Sequence, residues 1–163
     1  MALIFPGSRC AICNEELSQL YLATSGCAFP PEHRLFKFCD APLHLSCLEE
    51  WDDREEFAGA YHDLELDSWR RGRGTLLHLD DKWFVGVGPS APPSTPRFAQ
   101  VRLRDWPLRL YTQFDDWDVF LADGYSARLG GQTLSRADAV MRDVRNLLPN
   151  QAELVATWRR TVS

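Results

Sequence analysis

Cys39-Asp40-Ala41-Pro42-Leu43-His44-Leu45-Ser46-Cys47-Leu48-Glu49-Glu50-Trp51 decides how the first third of this chain folds, together with Cys10-Ala11-Ile12-Cys13 nearer the start. A C-x2-C pair followed at a distance by an H-x2-C pair offers three thiolates and one imidazole, a donor set that holds zinc tetrahedrally. The members of each pair are close enough to grip one ion from a single tight turn. Cys10, Cys13, His44 and Cys47 fill all four places and leave none for water, so the pattern predicts one structural Zn2+ and not a catalytic metal.

Outward from these ligands, Leu17 to Thr24 reads as a strand or one helical turn, and Ser25 to His33, with Gly26, Pro30 and Pro31, as a loop. Leu35-Phe36-Lys37-Phe38 alternates and predicts a short strand entering the second pair. From His44 onward Leu48, Trp51, Ala58 and Tyr61 fit a helical stripe. Acidic residues crowd the front of that helix, where the macrodipole favours them, which puts His44 and Cys47 at its mouth.

Knuckle, strands, then a helix bearing the last two ligands is the order of a treble-clef finger. At residues 8–61 the chain also resembles a RING finger, whose pattern runs Cys-x2-Cys, a spacer, then Cys-x-His-x2-His/Cys-x2-Cys. Cys10 and Cys13 match the first pair, Cys39 the third position, His44 and Cys47 the next pair, and Leu48 and Trp51 the aliphatic and aromatic places that follow. Ala41 stands where the pattern has histidine, and no closing Cys-x2-Cys follows Cys47. The resemblance therefore implies a finger that keeps the first of the two RING zinc sites and lacks three ligands of the second. Cys27, His33 and Cys39, with His62 as a distant fourth, are the candidates for another metal, but they include no C-x2-C clamp. The plainer reading makes Cys27 and Cys39 small buried apolar residues and His33 a loop residue.

The rest of the chain, residues 69–163, reads as a separate small α+β domain after a module spanning 1–68. Trp69-Arg70-Arg71-Gly72-Arg73-Gly74 looks like a solvated joint. Thr75–Leu79 and Trp83–Val87 flank Asp80-Asp81-Lys82 as a hairpin, and the prolines of 88–96 predict a flexible loop. Three further strands are expected at 99–103, 108–111 and 117–121, making about five in an antiparallel meander. Its wet face should carry Arg102, Arg104, Arg109, Tyr111 and Phe120, with Arg109 opposite Asp118. Ser135 with Asp138, and Asn150 with Glu153, predict the starts of two covering helices. Their inward stripes are Ala137, Val140, Met141, Val144 and Leu148, then Leu154, Val155, Trp158 and Val162.

Charge is divided between the halves. Residues 1–67 hold 13 acidic and 4 basic side chains, a net of −9, and residues 68–163 hold 10 acidic and 14 basic, a net of +4. An acidic finger is ill suited to a phosphate backbone. No apolar run approaches the roughly 18 residues of a membrane span, and the first residues lack a secretory signal's charged front and apolar core. Thiols spaced for metal, without an export signal, suit a reducing, cytoplasmic setting. No phosphate-cradling loop, dinucleotide fingerprint or H-E-x-x-H occurs, and Gly124-Tyr125-Ser126-Ala127-Arg128 falls one glycine short of a nucleophile elbow. The expected protein is non-enzymatic and works as a protein-interaction module. Two other readings stand beside it: nucleic-acid binding through the basic C-terminal sheet and Arg70–Arg73, or a degenerate RING-type ubiquitin-ligase-like protein. Chelation is expected to unfold residues 8–61 and leave the C-terminal sheet standing.

Overall fold

The computed structural model describes residues 3–17, 20–88, 95–126, 129 and 131–163; most of the proline loop expected at 88–96, and Ala127-Arg128, lie outside them. In chain order the elements are β1 (Tyr21–Ala23), β2 (Pro42–His44), α1 (Leu45–Glu49), α2 (Arg54–Ser68), β3 (Thr75–Leu79), β4 (Trp83–Gly88), β5 (Phe98–Leu103), β6 (Arg109–Gln113), α3 (Trp117–Val119), α4 (Gly131–Leu147) and α5 (Gln151–Val162). The fold is α+β, with β1 and β2 paired antiparallel and β3-β4-β5-β6 forming an open antiparallel meander.

The expected fifth strand at 117–121 is helical. Trp117, Phe120 and Leu121 are buried while Asp118 and Val119 are exposed, the i, i+3, i+4 spacing of a helix and not the period of two of a strand. The strand expected at 35–38 is a 3-10 turn, Phe36–Phe38, which buries Phe38. The single helix expected after His44 is two helices, α1 and α2, with Trp51 in the break between them.

The largest departure concerns the face of the sheet expected to be wet. Every residue of β4 is buried, and so is β5 from Ala99 to Leu103. Trp83, Val85, Val87, Ala99, Val101 and Leu103 face α4 and α5 in one cluster with Met141, Leu148, Leu154 and Trp158. Phe84, Gly86, Gln100 and Arg102 point the other way, and α2 with its continuation covers them. Trp69 lies against Phe84, and a Cβ on Gly86 would come within 2.8 Å of the Trp69 ring, so this strand position admits only glycine without repacking. The expected joint at 69–74 is thus a wide helical turn, Trp69–Arg73, that extends α2 and buries Trp69. Arg102 and Phe120, expected at the surface, are buried, whereas Arg104, Arg109 and Tyr111 are exposed.

The main buried cluster also takes in Phe29, Leu35, Phe38, Leu43, Leu48, Phe57 and Tyr61, so the N-terminal third and the sheet share one continuous apolar interior. A second tie is polar. The Glu49 carboxylate, on the helix that carries Cys47, accepts from the Thr133 backbone N–H at 2.9 Å and from its hydroxyl at 3.1 Å. It thereby satisfies one orphan backbone donor at the start of α4. Ser135, expected to cap that helix, sits one turn inside it and donates to the Gly131 carbonyl, while Asp138 accepts from Tyr125. Asn150 caps α5 as expected, its side chain accepting from the Glu153 N–H at 2.9 Å. Val162 is exposed and stands outside the α5 stripe.

Candidate metal centre

Two local structures bring the four ligands together. The first is a knuckle: Arg9 bridges Glu16, the Cys10 N–H donates to the Glu15 carbonyl, and the Asn14 N–H closes back on the Cys10 carbonyl at 2.8 Å. Asn14 takes φ of 61°, the left-handed conformation that lets the chain reverse straight after Cys13 and that asparagine tolerates better than most residues. The second is β2 running into α1, where His44 is the last strand residue and Cys47 lies in the first turn of the helix. Pairing of β2 with β1, and an Ala11 N–H to Pro42 carbonyl bond of 2.9 Å, clamp the two together.

The result is a cluster in which one ligand atom from each of Cys10, Cys13, His44 and Cys47 lies within 4.8 Å of all the others. His44 Nδ1 is 3.4 Å from the Cys13 sulfur and 3.7 Å from that of Cys47. A tetrahedral ion with metal–sulfur and metal–nitrogen bonds of about 2.3 and 2.0 Å sets ligand–ligand edges of roughly 3.5–3.8 Å, close to both distances. His44 Nε2 is 3.1 Å from the Glu16 carbonyl, which can only accept, so this nitrogen carries the proton and Nδ1 presents its lone pair to the sulfurs. The His44 backbone N–H donates to the Cys10 sulfur at 3.3 Å. The donor set and its spacing fit one metal ion.

Electrostatics fit as well. Burial opposes ionisation of Cys10, but backbone N–H groups of Cys13, His44 and Ile12 outweigh it and hold the thiol below its ordinary range. Cys47 is pushed up to about 12, first by burial, then by hydrogen bonding to Cys13 and the negative charge of Cys10. The cluster thus stabilises one thiolate and resists a second for want of a positive charge at its centre, which a dication supplies.

The other candidates form no second group of ligands: Cys27 and Cys39 are in hydrogen-bond contact, but neither His33 nor His62 joins them. Among the described residues, the grouping of three or more metal-capable side chains is this one. His33 stacks on Phe29, with ring centroids 4.6 Å apart, and faces Glu56. His62 is fully buried against Phe84, beside Asp63. Cys27 is exposed, so the expectation of a buried small residue holds only in part for Cys39, which is half-buried.

A polar centre that no sequence motif marks lies between α2 and the sheet. Glu65 on α2 receives Arg73 at 3.0 Å, Arg109 at 3.4 Å and Arg102 at 3.5 Å. Nearby, Asp63 pairs with Arg104 at 3.9 Å and Asp67 lies 4.0 Å from both Arg70 and Arg71. The acidic first half and basic second half are in good part each other's counter-charges. The cross-strand pair expected between Arg109 and Asp118 is replaced by this one, while Asp118 accepts from the Gln151 N–H. Only the uneven charge of the halves hinted at it.

No helix among the described residues is long and apolar enough to cross a membrane. Searches against protein-family descriptions, curated proteins and solved structures find no match to this chain.

Proposed function

We propose that this is a non-enzymatic cytoplasmic protein-interaction module, built on a RING-like treble clef in which Cys10, Cys13, His44 and Cys47 hold a single structural Zn2+. The observation that carries the reading is the convergence of four soft donors within 4.8 Å, with the second nitrogen of His44 already engaged by Glu16. A knuckle, a paired hairpin and a helix, in that order, support the treble clef. The ion, when bound, adds the positive charge the thiolates lack, and these residues then pin the knuckle to α1. A role in contacting protein draws support from exposed Leu3, Phe5, Leu20 and Tyr21 on the finger. Binding to a nucleic-acid backbone is the weaker reading, because these arginines do not form the open basic face it needs: Arg102 is buried, and Arg73 and Arg109 turn with it toward Glu65 inside a cavity.

Elemental analysis should find one zinc per chain, lost in Cys13→Ser and in His44→Ala. Affinity capture from cell extract should recover a protein partner that is released with the metal. A metal-free chain that is fully ordered, or capture of nucleic acid alone, would defeat the proposal.

A further inference from the structure

The centre around Glu65 does more than balance charge, because its charges do not balance. It opens into a cavity of about 440 Å³ bounded by β1, α2 and the arginine-bearing face of the sheet, within the range of small-molecule sites. Among the described residues, five charged side chains line it: Glu65, Arg71, Arg73, Arg102 and Arg109. Their sum is +3, and a surplus of +2 remains when Asp67, 4.0 Å from Arg71 but outside the lining, is counted against it.

Hydrogen-bonding capacity is as one-sided as charge. A carboxylate offers about four acceptor sites, whereas each guanidinium brings five N–H donors. Arg73 and Arg109 both turn to the same oxygen, Glu65 Oε1. Arg102 is only 5% exposed, and its Nε, 3.5 Å from Oε2, makes no hydrogen bond. Burial depresses its pKa to about 10, with Glu65 opposing the shift and Arg109 adding to it. A buried cation with an unmet donor, at the wall of a cavity with surplus positive charge, calls for a second anion.

We propose that this cavity binds a small phosphate-bearing molecule, its phosphate held by Arg73, Arg102 and Arg109. Guanidinium forks match phosphate oxygens in pairs, and a dianion offsets more of the surplus than a single carboxylate does. Leu22, Leu64 and Pro107 supply apolar wall for the rest of the ligand. The site shares no residue with the metal cluster.

The test uses the full chain titrated with inorganic phosphate at low ionic strength, by calorimetry and by NMR of arginine Nε–H groups. Saturable one-to-one binding is expected, with the Arg102 Nε–H signal moving on addition. Arg73→Gln and Arg109→Gln, both at partly exposed side chains, should each weaken binding about tenfold or more, the loss of one charge-assisted bond. Arg136→Gln, whose arginine pairs with Asp105 elsewhere, should leave it within about twofold, as a distant exposed pair should. Should either cavity variant fail to fold, the Arg102 signal in the unaltered chain decides. No saturation by about 10 mM, beyond the weak end of specific affinities, overturns the proposal. So does equal weakening in all three variants, tighter binding of succinate than of phosphate, or binding of a single-stranded oligonucleotide that phosphate does not displace.

Discussion

The metal cluster and the arginine cluster are both polar centres set into an apolar interior, yet they are assembled in opposite ways. The first draws its ligands from two short segments, 10–13 and 44–47, each of which presents two donors whatever the rest of the chain does. The second draws Glu65, Arg73, Arg102 and Arg109 from a helix, its terminal turn and two strands. Remove the tertiary structure and the first still exists as two half-sites; the second does not exist at all. A site made of local pairs should dominate stability through its ion, and one made of distant charges through the penalty for leaving any of them alone.

Metal loss should have the largest effect. Structural zinc contributes about 10–16 kcal/mol in small fingers, as much as the whole stability of many domains. Because the buried cluster runs from Phe38 and Leu48 through Phe57 to Val85 and Val101 without a break, chelation or Cys13→Ser should lower one common transition. A drop on the order of 20 °C or outright unfolding is expected at this chain length. Calorimetry with and without chelator checks it, and an N-terminal region that melts while the sheet holds its original midpoint would support the division at residue 68.

Next comes the arginine cluster. Glu65→Ala strands a buried Arg102, and breaking a buried pair from one side costs about 3–5 kcal/mol. Arg73→Ala and Arg109→Ala, at partly exposed side chains, should each cost under about 1 kcal/mol. Denaturant midpoints read the difference. Equal costs at all three would mean that Glu65 is solvated and the centre is not a buried one.

The same contrast explains what could be read in advance. Cys10, Cys13, His44 and Cys47 were legible because coordination imposes short spacings. The Asn150 cap and the stripe from Ala137 to Leu148 were legible because helices repeat locally. Arg102 misleads because alternation reports polarity, not exposure, and the helix covering that face is some 40 residues upstream. Ser135 and Asp138 had the form of a capping box, but the true partner of that helix end is Glu49, 84 positions away. Trp117 to Leu121 reads as a strand because five residues suit either period when aromatic and aliphatic residues occupy nearly every place.

A smaller effect separates backbone from ligand chemistry within the knuckle. Asn14 holds a left-handed conformation, so Asn14→Ala should cost about 1–2 kcal/mol with metal stoichiometry unchanged. Asn14→Gly should be close to neutral, since glycine adopts that φ freely. If the alanine variant instead loses its metal, the Asn14 turn is part of how the ion is held and the two half-sites are not self-sufficient.

The mildest test concerns His62, which belongs to neither centre but borders the second. Burial lowers its pKa below the usual 6.5, only partly offset by Asp63, while Arg102 and Arg104 push the same way. The imidazole is therefore neutral in the folded chain at a pH where the unfolded chain would protonate it. In that window the unfolded state binds more protons, so stability rises with pH. His62 contributes fully above the unfolded pKa of about 6.5, and the contribution is lost as pH falls from there toward the lowered folded value. Protonation of the metal ligands acts in the same direction, so the comparison is made at saturating zinc, between the unaltered chain and His62→Gln. The variant should lose part of the slope of melting temperature against pH below 6.5 and none above pH 7.5. A slope identical in both chains would assign the acid sensitivity to the metal cluster alone, leaving His62 with Phe84 as a packing contact without electrostatic consequence.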